Sequence, residues 1–236
     1  MRFGVLGPLA VHGNDGGPVA VPEGKVRALL ADLLVHGGRP VPADRLVEDL
    51  WPKDPPGRPL NTLQTKVSQL RKFVGADRVV LSPAGYRLRV EEGEVDADRF
   101  ERAAAAGSPG ALAEGLGLWR GPAYAEFAEA PFARAEAARL EELRLTAVEE
   151  LAAARAESGG AAAMAGELGE LARAHPLRER LHGLYMLALY QAGRQGEALE
   201  AYEGLRRRLR EELGVDPGPE AAGVHARLLH GRVPAA

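Results

Sequence analysis

The chain has 236 residues, no cysteine and a formal net charge of −3. That length allows one or two domains with real cores, two being the better division, and the missing thiols remove disulfides, thiolate catalysis and sulfur-ligated zinc. No apolar run reaches the roughly 18 residues of a membrane helix, the opening MRFGVLGPLAV reads as a strand rather than a signal peptide, and the expected compartment is the cytoplasm.

Residues 3 to 11 and 18 to 21 are rich in Val and Leu, and GNDGG between them supplies residues suited to a strand reversal, so a hairpin is expected to open the fold. From Lys25, apolar side chains at Val26, Leu29, Leu30, Leu33 and Leu34 line one face of a helix that HGG ends. Leu46, Val47 and Leu50 mark a second, short helix ending near Trp51. The prolines of KDPPGRP lack the amide hydrogen that a helix needs, so a loop follows.

The next segment, NTLQTKVSQLRK at 61 to 72, has an unusual composition. The whole chain holds thirteen Asn, Gln, Thr and Lys residues, and seven of them fall in these twelve positions. Asn61 is expected to cap a third helix whose Leu63, Val67, Leu70 and Val74 face a core. At 100° per residue, Asn61, Thr65, Ser68 and Lys72 then lie on the opposite side, with Gln64 and Gln69 flanking them. RVVL and YRLRV around SPAG predict a terminal hairpin with a type I turn. Between 58 and 89 the cations are Arg58, Lys66, Arg71, Lys72, Arg78, Arg87 and Arg89, against Asp77 alone, whereas acids dominate beyond residue 95.

Near residue 94 the composition shifts to Ala, Glu, Leu and Arg at helical spacing. Two domains are therefore expected, 1–94 and 95–236, the second all helix. Pro131 suits the first turn of a long helix running to about Ser158, with Leu140, Leu143, Val148 and Leu151 on its apolar face. Two helix pairs follow, at roughly 161 to 192 and 195 to 230, each broken by a proline (Pro176, Pro217), as degenerate helical-hairpin repeats would be.

Strands, three helices and a final hairpin, with a polar and basic third helix, predict a winged helix-turn-helix. The fold class is α+β there, followed by an all-α, tetratricopeptide-like domain. A helix entering the major groove needs short side chains for close approach and amides and guanidinium groups for base edges. Gln and Asn suit adenine and Arg suits guanine, while Lys66, Lys72, Arg71, Arg87 and Arg89 could neutralise phosphates. Exposed helices elsewhere in the chain, such as 134 to 157, carry Glu, Arg and Ala instead. Thr65, Ser68, Gln69 and Arg71 are the expected base readers.

The run VRALLADLLVHGGRPVPADRLVEDLWPKDPPGRPLNTLQTKVSQLRKFVG, then LSPAGYRLRV and VDADRFE, resembles the OmpR-type DNA-binding domain of the Streptomyces antibiotic regulatory proteins. FAEAPFARAEAARLEELRLTAVEELAAARAESG and HPLRERLHGLYMLALYQAGRQGEALEAYEGLRRRLREELGVDPGPE resemble that family's bacterial transcriptional activation domain. The resemblance implies an activator of antibiotic biosynthetic genes that binds direct repeats near the promoter −35 region as a dimer and engages RNA polymerase. It assigns Asn61, Thr62, Gln64, Thr65, Lys66, Ser68, Gln69, Arg71 and Lys72 to the recognition helix, and Arg78, Gly85, Tyr86 and Arg87 to the DNA-contacting wing. The loop at 51 to 59 corresponds to a site of polymerase contact, with Lys53, Asp54 and Arg58 as the contacting residues and Trp51 as a core plug. Larger relatives continue with further domains, so the expectation is the small, stand-alone form, without a receiver domain. AAAMAGELGE is unusually small and Gly-rich for a repeat helix.

No enzyme site is expected. EGK at 23 to 25 lacks the remainder of a phosphate-binding loop, GxSxG and HExxH are absent, and no two of the six His stand four apart as ligands would. No metal or cofactor is implied. The rival reading is a helical-repeat interaction or ligand-sensing module with a DNA-docking domain. A small-molecule ligand would have Trp119, Tyr124, Phe127, Tyr185 and Tyr202 to draw on, aromatics better read as core fillers.

Overall fold

The computed structural model describes residues 1–22 and 24–231. Glu23 of the EGK segment and residues 232–236 lie outside the described residues. The chain is mostly helical with two small sheets, and its contacts divide it into two compact units, one of residues 1–106 with 114–144 and one of 107–113 with 145–236.

The first unit opens with β1 (Arg2–Gly4) paired antiparallel to β2 (Ala10–His12), Phe3 opposite Val11. The reversal thus lies inside the segment expected to be a single strand. Its cause is the Gly7-Pro8 dipeptide, with Gly7 at φ 140°, a conformation that a side chain would oppose. GNDGG makes a second turn, which returns the chain to a bridge between His12 and Pro18.

Three helices follow, α1 (Lys25–Val35), α2 (Ala43–Leu50) and α3 (Pro59–Val74), and then the hairpin of β3 (Val79–Ser82) and β4 (Gly85–Leu88). Leu29, Leu30 and Leu33 of α1, Leu46 and Leu50 of α2, and Leu63, Val67, Leu70 and Val74 of α3 are all buried, and these helices pack on one another. Burying a Leu or Val side chain contributes about 1.5–3 kcal/mol, so this cluster dominates the unit's stability.

Asn61 is not the cap of α3. The helix begins two residues earlier, with Arg58 at the capping position and Pro59 in the first turn, where its missing N–H costs nothing and its fixed φ is already helical. Asn61 is thereby turned outward within the first turn.

The same unit continues past residue 94 into α4 (Asp96–Ala106). Buried Asp96 accepts the Val5 N–H at 2.7 Å and the Leu6 N–H at 3.3 Å, tying the start of α4 to the chain beyond β1. Phe100 meets Trp119 edge-on at 5.3 Å between ring centroids, and Tyr124 is buried.

The long helix α6 (Pro131–Glu157), which follows the short α5 (Pro109–Leu116), contributes residues to each unit. In the second unit a 3-10 turn at Ala161–Met164 leads into α7 (Ala165–Ala174), α8 (Glu179–Gln191), α9 (Gln195–Leu213) and α10 (Pro219–Leu229). Both prolines expected to divide the helix pairs stand in the connections, Pro176 before α8 and Pro217 before α10. Helix α8 is the hub, packing on α7, α9 and α10. Gln191 is buried at its end, donating to the Ala156 carbonyl at 2.8 Å and accepting the Ala161 N–H at 3.0 Å. The small residues of AAAMAGELGE have a packing reason at Gly169, where a Cβ would lie 3.0 Å from the Tyr185 ring.

Candidate nucleic-acid interface

Helix α3 buries one face and presents the other. Asn61, Gln64, Thr65, Ser68 and Lys72 are exposed, and Thr62, Lys66, Gln69 and Arg71 are half-buried beside them. The Thr62 and Thr65 hydroxyls donate to the carbonyls of Arg58 and Asn61, each at 3.0 Å, which fixes their rotamers and leaves acceptor lone pairs available. Lys66 Nζ donates to Gln69 Oε1 at 3.3 Å, orienting that amide.

Two of the arginines expected at the interface also bond within the fold. Arg71 donates through Nε and Nη2 to the Val79 carbonyl, at 3.0 and 2.6 Å, strapping the end of α3 to β3. The bonds occupy the Nε–Nη2 edge of the guanidinium and leave the Nη1 donors unengaged by Val79. Arg78 donates to both carboxylate oxygens of Glu94, at 2.6 and 2.8 Å, and to the Arg89 carbonyl at 3.3 Å. Burial opposes ionisation of Glu94, but the Arg78 pair and the Glu91 N–H outweigh it and hold the carboxyl down at about 2.

Gly85 and Tyr86 are built into the framework of the hairpin. Tyr86 is buried and exchanges backbone bonds with Val41 at 2.7 and 2.9 Å. At Gly85, φ is 123°, and a Cβ would stand 2.0 Å from the Val41 oxygen, so no other residue fits. The hairpin's outward residues are Leu81, 58% exposed, with Pro83, Ala84 and the following Arg89; Arg87 is half-buried.

Leu81 and the exposed Leu60 at the start of α3 were not anticipated as surface residues. Their apolar character points inward when read alone, and only the hairpin's reach past the core leaves Leu81 uncovered. In the loop between α2 and α3, Lys53, Asp54 and Arg58 are all exposed. Trp51 is half-buried, with Lys25 Nζ 6.0 Å from its ring and bonded to the Leu50 carbonyl.

The profile of the bacterial transcriptional activator domain matches residues 88–229. Over 97% of its length the chain is 42% identical to the regulatory protein AfsR of Streptomyces griseus, of which it spans 24%. It is 38% identical to the transcriptional regulator RedD of Streptomyces coelicolor, spanning 70% of that protein. Among solved structures, Mycobacterium tuberculosis EmbR in complex with a low affinity phosphopeptide superposes with a TM-score of 0.84 at 34% identity, over the whole of this chain and 66% of that one. The chain belongs to the Streptomyces antibiotic regulatory proteins, a family of transcriptional regulators.

Proposed function

We propose that α1 to α3 with the β3–β4 hairpin act as an OmpR-type winged helix-turn-helix, and that the protein activates transcription by binding duplex DNA through the exposed stripe of α3. The observation that carries this reading is the division of α3 itself. Leu63, Val67, Leu70 and Val74 are buried, while the exposed positions hold Asn61, Gln64, Thr65, Ser68 and Lys72. These are short side chains and amides with one terminal cation, suited to close approach in the major groove, readout of base edges and one phosphate contact. Arg89, Arg87 and the apolar tip at Leu81 would follow the backbone beside it.

On this reading residues 1–94 bind DNA and residues 95–236 are the helical activation domain. Lys53, Asp54 and Arg58 offer RNA polymerase a surface next to the recognition helix. Two copies would occupy direct repeats as a dimer near the −35 region of antibiotic biosynthetic promoters, in the cytoplasm where the chromosome lies.

The test is selection of bound sequences from a random duplex pool by the full chain at moderate salt. Enrichment of two similar short elements, spaced about one DNA turn apart, is the expected result. A pool left unenriched after several rounds would overturn the reading of α3 as a sequence-reading helix.

A further inference from the structure

The second unit holds a cleft among α7, α8 and α9, about 180 Å³ in volume, whose lining includes Arg173, His182, Tyr185, Arg207 and Arg208 and no carboxylate. In a chain with more acids than bases, this is an unusual concentration of one sign. The neighbouring arginines of α9 show the contrast. Arg206 pairs with Glu203 and Asp216, and Arg210 with Asp216, whereas among the described residues Arg207 and Arg208 enter no ion pair. Arg173 engages only its Nε, donating to the Gly169 carbonyl at 3.1 Å, and this steadies the side chain at the rim.

At the floor stands His182, 6% exposed, with both ring nitrogens buried and neither in a hydrogen bond. Buried polar atoms without partners are costly and call for an explanation. Burial, followed by the charge of Arg208, pushes its pKa down against the opposing pull of the backbone at Ala172, Pro176 and His175. A neutral imidazole keeps one N–H to donate. Tyr185 adds a phenol, held over Gly169 by the absence of a Cβ there.

We propose that this cleft binds the oxyanion group of a small molecule, a carboxylate or a phosphate, with Arg207, Arg208 and Arg173 supplying charge above the buried His182 ring. The volume admits one such group on a short carbon skeleton, well below the roughly 300–1,000 Å³ of sites for drug-sized ligands. A larger groove of about 310 Å³ in the same unit lacks this character, because Glu157 and Glu220 offset its Arg180 and Arg227. The inference stands apart from the DNA-binding reading, since every residue it uses lies beyond residue 165.

The experiment follows the His182 ring signals in two-dimensional proton–carbon spectra of the full chain, during titration with inorganic phosphate, with acetate, and with chloride at matched ionic strength. A saturable shift with phosphate or acetate that chloride does not reproduce is expected. Response to both anions would define a general carboxylate and phosphate site; response to phosphate alone would define a phosphate ester as the ligand class. The double variant R207Q/R208Q changes only exposed side chains, and the same spectra report its fold. It should weaken the anion by about tenfold or more, the loss expected on removing charge-assisted hydrogen bonds. Absence of a saturable response, or a response that the double variant leaves unchanged, would overturn the proposal.

Discussion

Arg78 and Glu94 meet fork to fork, 2.6 and 2.8 Å apart, across sixteen residues of sequence. The Met1 ammonium adds a contact to the same carboxylate at 3.0 Å. Because the folded pKa of Glu94 lies at about 2, below the ordinary value of 4.5, the pair contributes stability fully present above the unfolded value and lost as pH falls from about 5 toward 2. Chemical denaturation at a series of acidic pH values should show this decline, about 2 kcal/mol in all. In Glu94→Gln the decline attributable to this site should vanish, and stability at pH 7 should be lower; an acid limb identical to that of the parent would remove the pair from the account.

Gly85→Ala should be among the most damaging single changes in the first unit. The added methyl meets the Val41 carbonyl at 2.0 Å, and the backbone stands at φ 123°. Together these cost at least about 3 kcal/mol, read as a lowered denaturation midpoint. A midpoint within error of the parent would mean that the β4–Val41 bridge is not maintained in solution.

Arg71→Ala separates a strap from a base reader. It removes two hydrogen bonds to the Val79 carbonyl and should cost about 1–2 kcal/mol of stability. Binding to every duplex should weaken by a similar factor, measured by titration against a panel of operator variants. A change in preference confined to one base pair would place Arg71 in the readout set.

Gln64→Ala and Lys72→Ala should part in the opposite manner. Loss of the Gln64 amide should cost roughly 1–3 kcal/mol on the selected operator and relax preference at one position. Lys72→Ala should weaken all sequences alike and lower the slope of log affinity against log salt by about one. A Gln64→Ala protein with unaltered preference, or a Lys72→Ala protein with an unaltered slope, would exclude that residue from the contact.

What could be read from the sequence follows the range of the interactions. The buried face of α3 repeats every turn, so Leu63, Val67, Leu70 and Val74 declare themselves, and the polar stripe follows by geometry. The partners of Arg71 and Arg78 do not, because a guanidinium carries the same charge whether it faces a phosphate or a carbonyl of its own chain. Two local signals in the sequence mark boundaries that the apolar periodicity does not. Gly7-Pro8 marks the turn between β1 and β2, and Pro59 marks the true start of α3, which takes Asn61 out of the capping position. His182 offers no sequence signal at all, since an imidazole among apolar neighbours reads as ordinary core.

The Arg71 strap makes a ruler of two elements that are separate in sequence. With α3 and β3 joined at the Val79 carbonyl, sliding the stripe past the hairpin tip would break both bonds, so the fold favours one span between them. If both touch one duplex, DNA whose groove dimensions differ from that span must twist or narrow to be engaged. The stiffness of base steps that no side chain reaches then becomes part of what distinguishes one promoter from another.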